Sequence, residues 1–129
     1  MPPEEVMEWW ARADADLRSA QVLLANRPPL LEAACFHCQQ AAEKALKAFL
    51  VWNNQPFMKV HNLGYLIDLC APIQPEFEQY REPAEALTPY AINLRYPGEA
   101  AVTLKEAKRA LSAAESILAF IRQLIPIEP

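Results

Sequence analysis

Glycine is almost missing from this chain, with Gly64 and Gly98 the only two. A glycine-rich loop that cradles phosphates is excluded by that count. No apolar run approaches the roughly 20 residues needed to span a bilayer, so a membrane role is not expected. Positive charge is also in short supply: 12 Lys and Arg stand against 16 Asp and Glu, for a net charge of −4. The surface as a whole therefore attracts no polyanion, and any nucleic-acid contact must use a local basic edge; DNA is not an expected partner. Cysteine numbers 3, an odd count that argues for reduced thiols rather than a disulfide framework. The opening Met1-Pro2-Pro3-Glu4-Glu5 lacks the basic and apolar regions of a signal peptide, which gives a cytoplasmic expectation. The GxSxG and HExxH signatures and a credible Ser/His/Asp set are missing. The acidic residues are scattered along faces that read as solvated rather than clustered for magnesium.

What is present is helix. Hydrophobic residues make up 53% of 129 residues, enough for one globular domain with a real core, spanning about 5–125. Val6, Trp10, Ala13, Leu17, Ala20 and Leu24 recur at four and three residue spacings, which predicts a helix over about 4–26. Pro28-Pro29 ends it. Leu31, Cys35, Cys38, Ala42, Ala45, Phe49 and Trp52 repeat the spacing over about 30–53, with Ala34, Ala41 and Ala48 widening the buried face. Asn62 reads as the N-cap of a short helix through Leu63, Leu66, Ile67 and Cys70. Residues 76–95 show helical spacing broken by Pro83 and Pro89. Thr103 with Glu106 matches a capping box, and Leu104 to Ile125 form the last helix. No segment alternates with period two. The expectation is an all-α fold, an antiparallel bundle of four main helices plus a short one.

The second helix carries a polar edge. His37, Gln40, Lys44 and Lys47 fall within about 80° of arc at ~100° per residue. Glu43 and Lys47 form an i,i+4 pair that reads as ordinary support on a solvated face, while Lys44 has no such partner and reads as the freer cation for an anionic ligand. Phe36 and Val51 share this side, and apolar groups among charges mark a partner surface. Phe36, Gln40, Lys47 and Val51 are therefore candidates for a homodimer or partner contact. His61 precedes a helix start, where free N–H groups favour an anion. Arg95 offers a planar fork for phosphate, and Tyr96 a stacking face. Cys35, His37 and Cys38 tempt a zinc reading, but the second ligand pair of a zinc site is missing and both thiols sit on the apolar stripe; no metal or cofactor is expected.

Three stretches together resemble the HEPN (higher eukaryotes and prokaryotes nucleotide-binding) family: Ala34 through Cys35-Phe36-His37-Cys38-Gln39-Gln40-Ala41-Ala42-Glu43-Lys44-Ala45-Leu46-Lys47-Ala48; then His61-Asn62-Leu63 with Leu66; then Tyr90 through Arg95-Tyr96-Pro97 ahead of a capped terminal helix. The likeness covers about residues 5–125. It implies a compact helical bundle, often a homodimer, frequently paired with a minimal nucleotidyltransferase in toxin–antitoxin or stress systems. Some branches bind nucleotides, and many are metal-independent RNases. The RNase branches carry an Arg followed by a His after a gap of about four to six residues. Here Arg95 is followed by Tyr96-Pro97-Gly98-Glu99-Ala100-Ala101-Val102, with no His, so acid–base cleavage lacks its usual proton carrier. The resulting expectation is a nucleotide-binding module using His37, Lys44, His61, Arg95 and Tyr96, with no catalytic residue assigned. The alternatives are an RNase using His37 or His61, and a scaffold that only oligomerises.

Overall fold

Proline placement decides where this chain can be helical, and the structure, a computed structural model that describes residues 2–92 and 97–127, follows it closely. Helix α1 runs Glu4–Ala25 and α2 Leu31–Trp52. The connection between them contains Pro28 and Pro29, which cannot continue a helix, and its shortness folds α1 back against α2 as an antiparallel pair. Helix α3 spans Leu63–Cys70, and α5 spans Leu104–Leu124. Every element among the described residues is helical.

Local signals account for the starts of α3 and α5. The Asn62 side chain accepts a hydrogen bond from Tyr65 N–H at 3.0 Å, as its reading as an N-cap requires. The Thr103 hydroxyl accepts from Glu106 N–H at 3.1 Å, and the Glu106 carboxylate accepts from Thr103 N–H at 3.1 Å, which completes the capping box.

The segment after α3 is where the sequence is least decisive, and prolines explain its form. A 3-10 turn over Pro75–Tyr80 leads into a short helix α4, Arg81–Leu87, followed by a second 3-10 turn at Thr88–Ala91. Pro83 falls in the first turn of α4, where its missing N–H has no intrahelical partner to lose. Phe77 is fully buried and packs on Phe49 of α2 at 4.8 Å and edge-on against Phe120 of α5 at 4.9 Å between ring centroids. One aromatic side chain thus ties the irregular segment to two long helices.

Helix α2 is the centre of the bundle, packing against α1, α3 and α5. Its alanines let the neighbours come close: Ala41, Ala42, Ala45 and Ala48 are all inaccessible to solvent. Leu46 and Leu50 meet Leu63, Leu66 and Ile67 of α3 and Ile117 and Ile121 of α5 in a single core. Because α2 is covered on more than its apolar stripe, Gln39, Glu43 and Lys47 are buried as well. That overturns the expectation that Glu43 and Lys47 decorate a solvated face. No helix among the described residues is long and apolar enough to cross a membrane.

Candidate functional site

The polar edge of α2 meets two carboxylates and splits into two clusters. The first is built on Asp16 of α1, which shares the buried stripe with Ala13 and Ala20. Its Oδ1 lies 2.7 Å from His37 Nδ1, and its Oδ2 accepts from Lys44 Nζ at 2.6 Å. His37 and Lys44 are two turns apart on one face of α2, so a single carboxylate from the facing helix bridges them. The Asp16 side chain is only 12% exposed, against 31% for His37 and 23% for Lys44. Lys44 is therefore not the free cation its helix suggested. Its partner comes from another helix rather than from four residues back.

The second cluster is deeper. Glu43 accepts from Lys47 Nζ at 3.0 Å and from Gln39 Nε2 at 3.1 Å, and its Oε1 lies 2.8 Å from His61 Nδ1. Gln39 Nε2 also donates to the His61 carbonyl at 3.0 Å, and Gln40 Nε2 donates to Gln39 Oε1 at 2.6 Å. The Lys47 ammonium sits 5.6 Å from the ring centroids of both Trp9 and Phe57, within cation–π range. Burial pushes the Glu43 carboxyl up, but the hydrogen bonds from Lys47, His61 and Gln39 outweigh it and hold the group below the usual glutamate range. Every demand of the buried charge is met inside the chain. This cluster fastens the segment before α3 to α2.

The residues singled out in the sequence are thus distributed. His37 and Lys44 come together through Asp16, while His61 belongs to the Glu43 cluster. Arg95 and Tyr96 lie outside the described residues. Of the candidate partner surface, Phe36 is half-buried and edge-on to the His37 ring at 5.3 Å. Gln40 is half-buried, Lys47 is buried, and Val51 packs partly buried on the chain's own core. Of the two hubs, Asp16 escaped the sequence reading, while Glu43 was read as the partner of Lys47, a pair the structure shows, but on a solvated face. For Asp16 a signal existed: an acid three residues after Ala13 and four before Ala20 falls on the apolar stripe.

An open groove between α1 and α2, about 520 Å³ in volume, is lined by Ala15, Arg18, Ser19, Val22, Leu23 and His37. Arg18 reaches only its own helix, with Nε 3.1 Å from Asp14 and a side chain 70% exposed. Such a pair is weak and exchangeable. Asp16 holding Nδ1 fixes the imidazole and leaves Nε2 as the ring's other polar atom. The groove therefore combines a positioned imidazole with an exposed guanidinium. Among the described residues no group of three or more His, Cys, Asp or Glu is placed to hold a metal ion. Cys35, Cys38 and Cys70 are buried and in no disulfide, and burial, with smaller contributions from Cys35 and Glu115, pushes the Cys38 thiol up to about 12.

The HEPN domain model matches residues 6–124, so the chain belongs to the HEPN domain family. The chain is similar to TT1696 from Thermus thermophilus, with 32% identity and a TM-score of 0.76 over 95% of this chain and 100% of that one. It also shares its fold with ST0689, an archaeal HEPN homologue, at 23% identity and a TM-score of 0.73 over 92% and 96% of the two chains. No curated protein matches it.

Proposed function

We propose that this HEPN domain is a nucleotide-binding module that takes a phosphate at the groove between α1 and α2. The observation that carries the reading is the imidazole of His37, held by Asp16 at 2.7 Å and lining the same groove as Arg18. Protonated, His37 donates from Nε2 to a phosphate oxygen while Arg18 exchanges Asp14 for the ligand. Lys44, neutralised by Asp16, contributes by keeping that carboxylate from repelling the anion. His61 stands apart on Glu43, and Arg95 and Tyr96 complete the site only if the segment carrying them reaches the groove. Family membership supports the wider setting: a homodimer that works with a minimal nucleotidyltransferase in a toxin–antitoxin or stress system, with Phe36, Gln40 and Val51 as the partner-facing residues that keep some surface. Calorimetric titration of the chain with mononucleotides tests the site. A saturable binding component that is lost in a folded Arg18→Ala/His37→Ala variant supports it, and binding unchanged by that pair removes it.

One observation favours a second reading. A carboxylate on Nδ1 is how proteins orient a histidine that takes a proton at Nε2. In an RNase reading His37 would be the general base in place of the missing histidine after Arg95. Cleavage of RNA in chelator, lost in His37→Ala and altered in pH profile by Asp16→Asn, would support it. Intact RNA after prolonged incubation with pure protein would remove it.

A further inference from the structure

A second concavity lies far along the chain from these clusters, between α4 and α5. It has a volume of about 550 Å³, and its wall combines Pro83, Leu87, Tyr90 and Ala110 with the polar Gln79 and with Glu106 of the capping box. Glu82 enters it from α4 and Arg109 from α5. Both side chains are exposed, and among the described residues neither is in an ion pair with the other or with anything else. By contrast the neighbouring Arg81 is saturated by Asp68 and Glu78, both at 2.7 Å. A cavity of this size that mixes apolar wall with a few polar groups is a usual form of small-ligand site. An unpaired carboxylate and an unpaired guanidinium on opposite walls call for a ligand with N–H donors at one end and an anion at the other.

The anionic end has further support. Arg109 also borders a shallow depression formed by Leu104, Lys105, Lys108 and Ser112. Lys108 and Arg109 lie three and four residues after Lys105, so each neighbours Lys105 at about 5–6 Å on one side of α5. No ion pair among the described residues engages any of the three. In a chain of net charge −4 this is a local positive edge at the mouth of the cavity. The cavity itself, with the Glu82 and Glu106 carboxylates in its wall, repels phosphate and receives the uncharged part of the ligand, which leaves the phosphate to the Lys105, Lys108 and Arg109 edge outside.

We propose that the α4–α5 cleft is a guanine-nucleotide site, separate from the His37 groove. The Glu82 carboxylate accepts the adjacent N1–H and N2–H of guanine as a bidentate pair. Adenine presents one amino group beside a lone pair, and uracil flanks its single N–H with two carbonyls, so both match a carboxylate worse. Pro83, Leu87 and the Tyr90 ring supply apolar and aromatic wall for the base. The 5′-phosphate lies on Arg109 with Lys105 and Lys108 beside it. The inference deepens the nucleotide reading above by naming a base and a second set of residues.

Calorimetry of the whole chain with guanosine and uridine 5′-monophosphates tests it. The expected result is that the guanosine nucleotide binds at least about tenfold tighter, the order of discrimination a bidentate base contact gives. Glu82→Gln is expected to abolish the preference. Lys105→Ala/Lys108→Ala/Arg109→Ala is expected to lose about tenfold or more in affinity and to flatten the salt dependence. Circular dichroism on each variant checks folding, which these exposed positions do not threaten. Binding that persists in Arg18→Ala/His37→Ala but falls in Glu82→Gln establishes the cleft. Guanosine nucleotide binding lost only in Arg18→Ala/His37→Ala overturns the cleft and leaves the groove standing. Equal affinity for the two nucleotides overturns the cleft, and the absence of any binding overturns both sites.

Discussion

Replacing Lys47 by methionine keeps an unbranched side chain and deletes the ammonium that lies 3.0 Å from Glu43. The two side chains are 7% and 5% exposed, so water cannot take over for the lost partner. Stripping one member from a buried pair costs about 3–5 kcal/mol, because the remaining charge stays desolvated. His61 at 2.8 Å and Gln39 at 3.1 Å still serve the carboxylate, which places the expectation at the lower end, about 3 kcal/mol. A domain of this size has about 5–15 kcal/mol in all. The variant should therefore melt roughly 10–15 °C lower, and its urea midpoint should fall by about 1–3 M. Tryptophan fluorescence is a suitable probe, because Trp9 lies against the Lys47 ammonium. The double variant Glu43→Leu/Lys47→Met removes both charges and should recover most of the loss. A single variant within about 1 kcal/mol of the parent, or a double variant no better than the single, would refute the buried-pair reasoning.

Three further outcomes are expected. The Glu43 carboxyl titrates below its ordinary value near about 4.3, so between the two values the unfolded chain binds more protons than the folded one. Its contribution is fully present above that ordinary value and is lost as pH falls through the folded value. Urea midpoints measured from neutral to acid pH should therefore converge between the parent and Glu43→Gln, and parallel curves would contradict the assignment. With the Cys38 thiol pushed up to about 12, roughly one part in ten thousand is thiolate at pH 8; a chromogenic disulfide reagent should react slowly with the native chain and fast in urea. Thr103→Ala removes one half of the capping box at α5 and should cost about 1 kcal/mol by urea unfolding.

The long helices were legible because their information is local and periodic. Val6, Trp10, Ala13 and Ala20 mark the buried face of α1 by spacing alone, and all are buried. Thr103 with Glu106, and Asn62, state their caps within four residues of sequence. The segment around Phe77 was not legible, because Pro75 and Pro89 open 3-10 turns on either side of a short helix with Pro83 in its first turn, and the burial of Phe77 depends on Phe49 and Phe120 far away in sequence. The polar clusters failed for the same reason. His37, Gln40, Lys44 and Lys47 were visible as an edge of one helix, but which carboxylate each would meet depends on packing between helices. Asp16 finds His37 across a separation of 21 residues and Lys44 across 28. Glu43 and Lys47 looked solvent-facing because one helix cannot report that Trp9, Phe57 and the segment through His61 cover it.

Calorimetric titration of the chain with mononucleotides in chelator, run in parallel on Arg18→Ala/His37→Ala, tests the central claim of a nucleotide-binding HEPN domain most directly. Saturable binding to the parent chain, weakened in that variant while its unfolding curve stays unchanged, is the expected result. No heat with any nucleotide, or affinity indifferent to the loss of both side chains, would contradict the groove between α1 and α2 as the place where this protein meets its ligand.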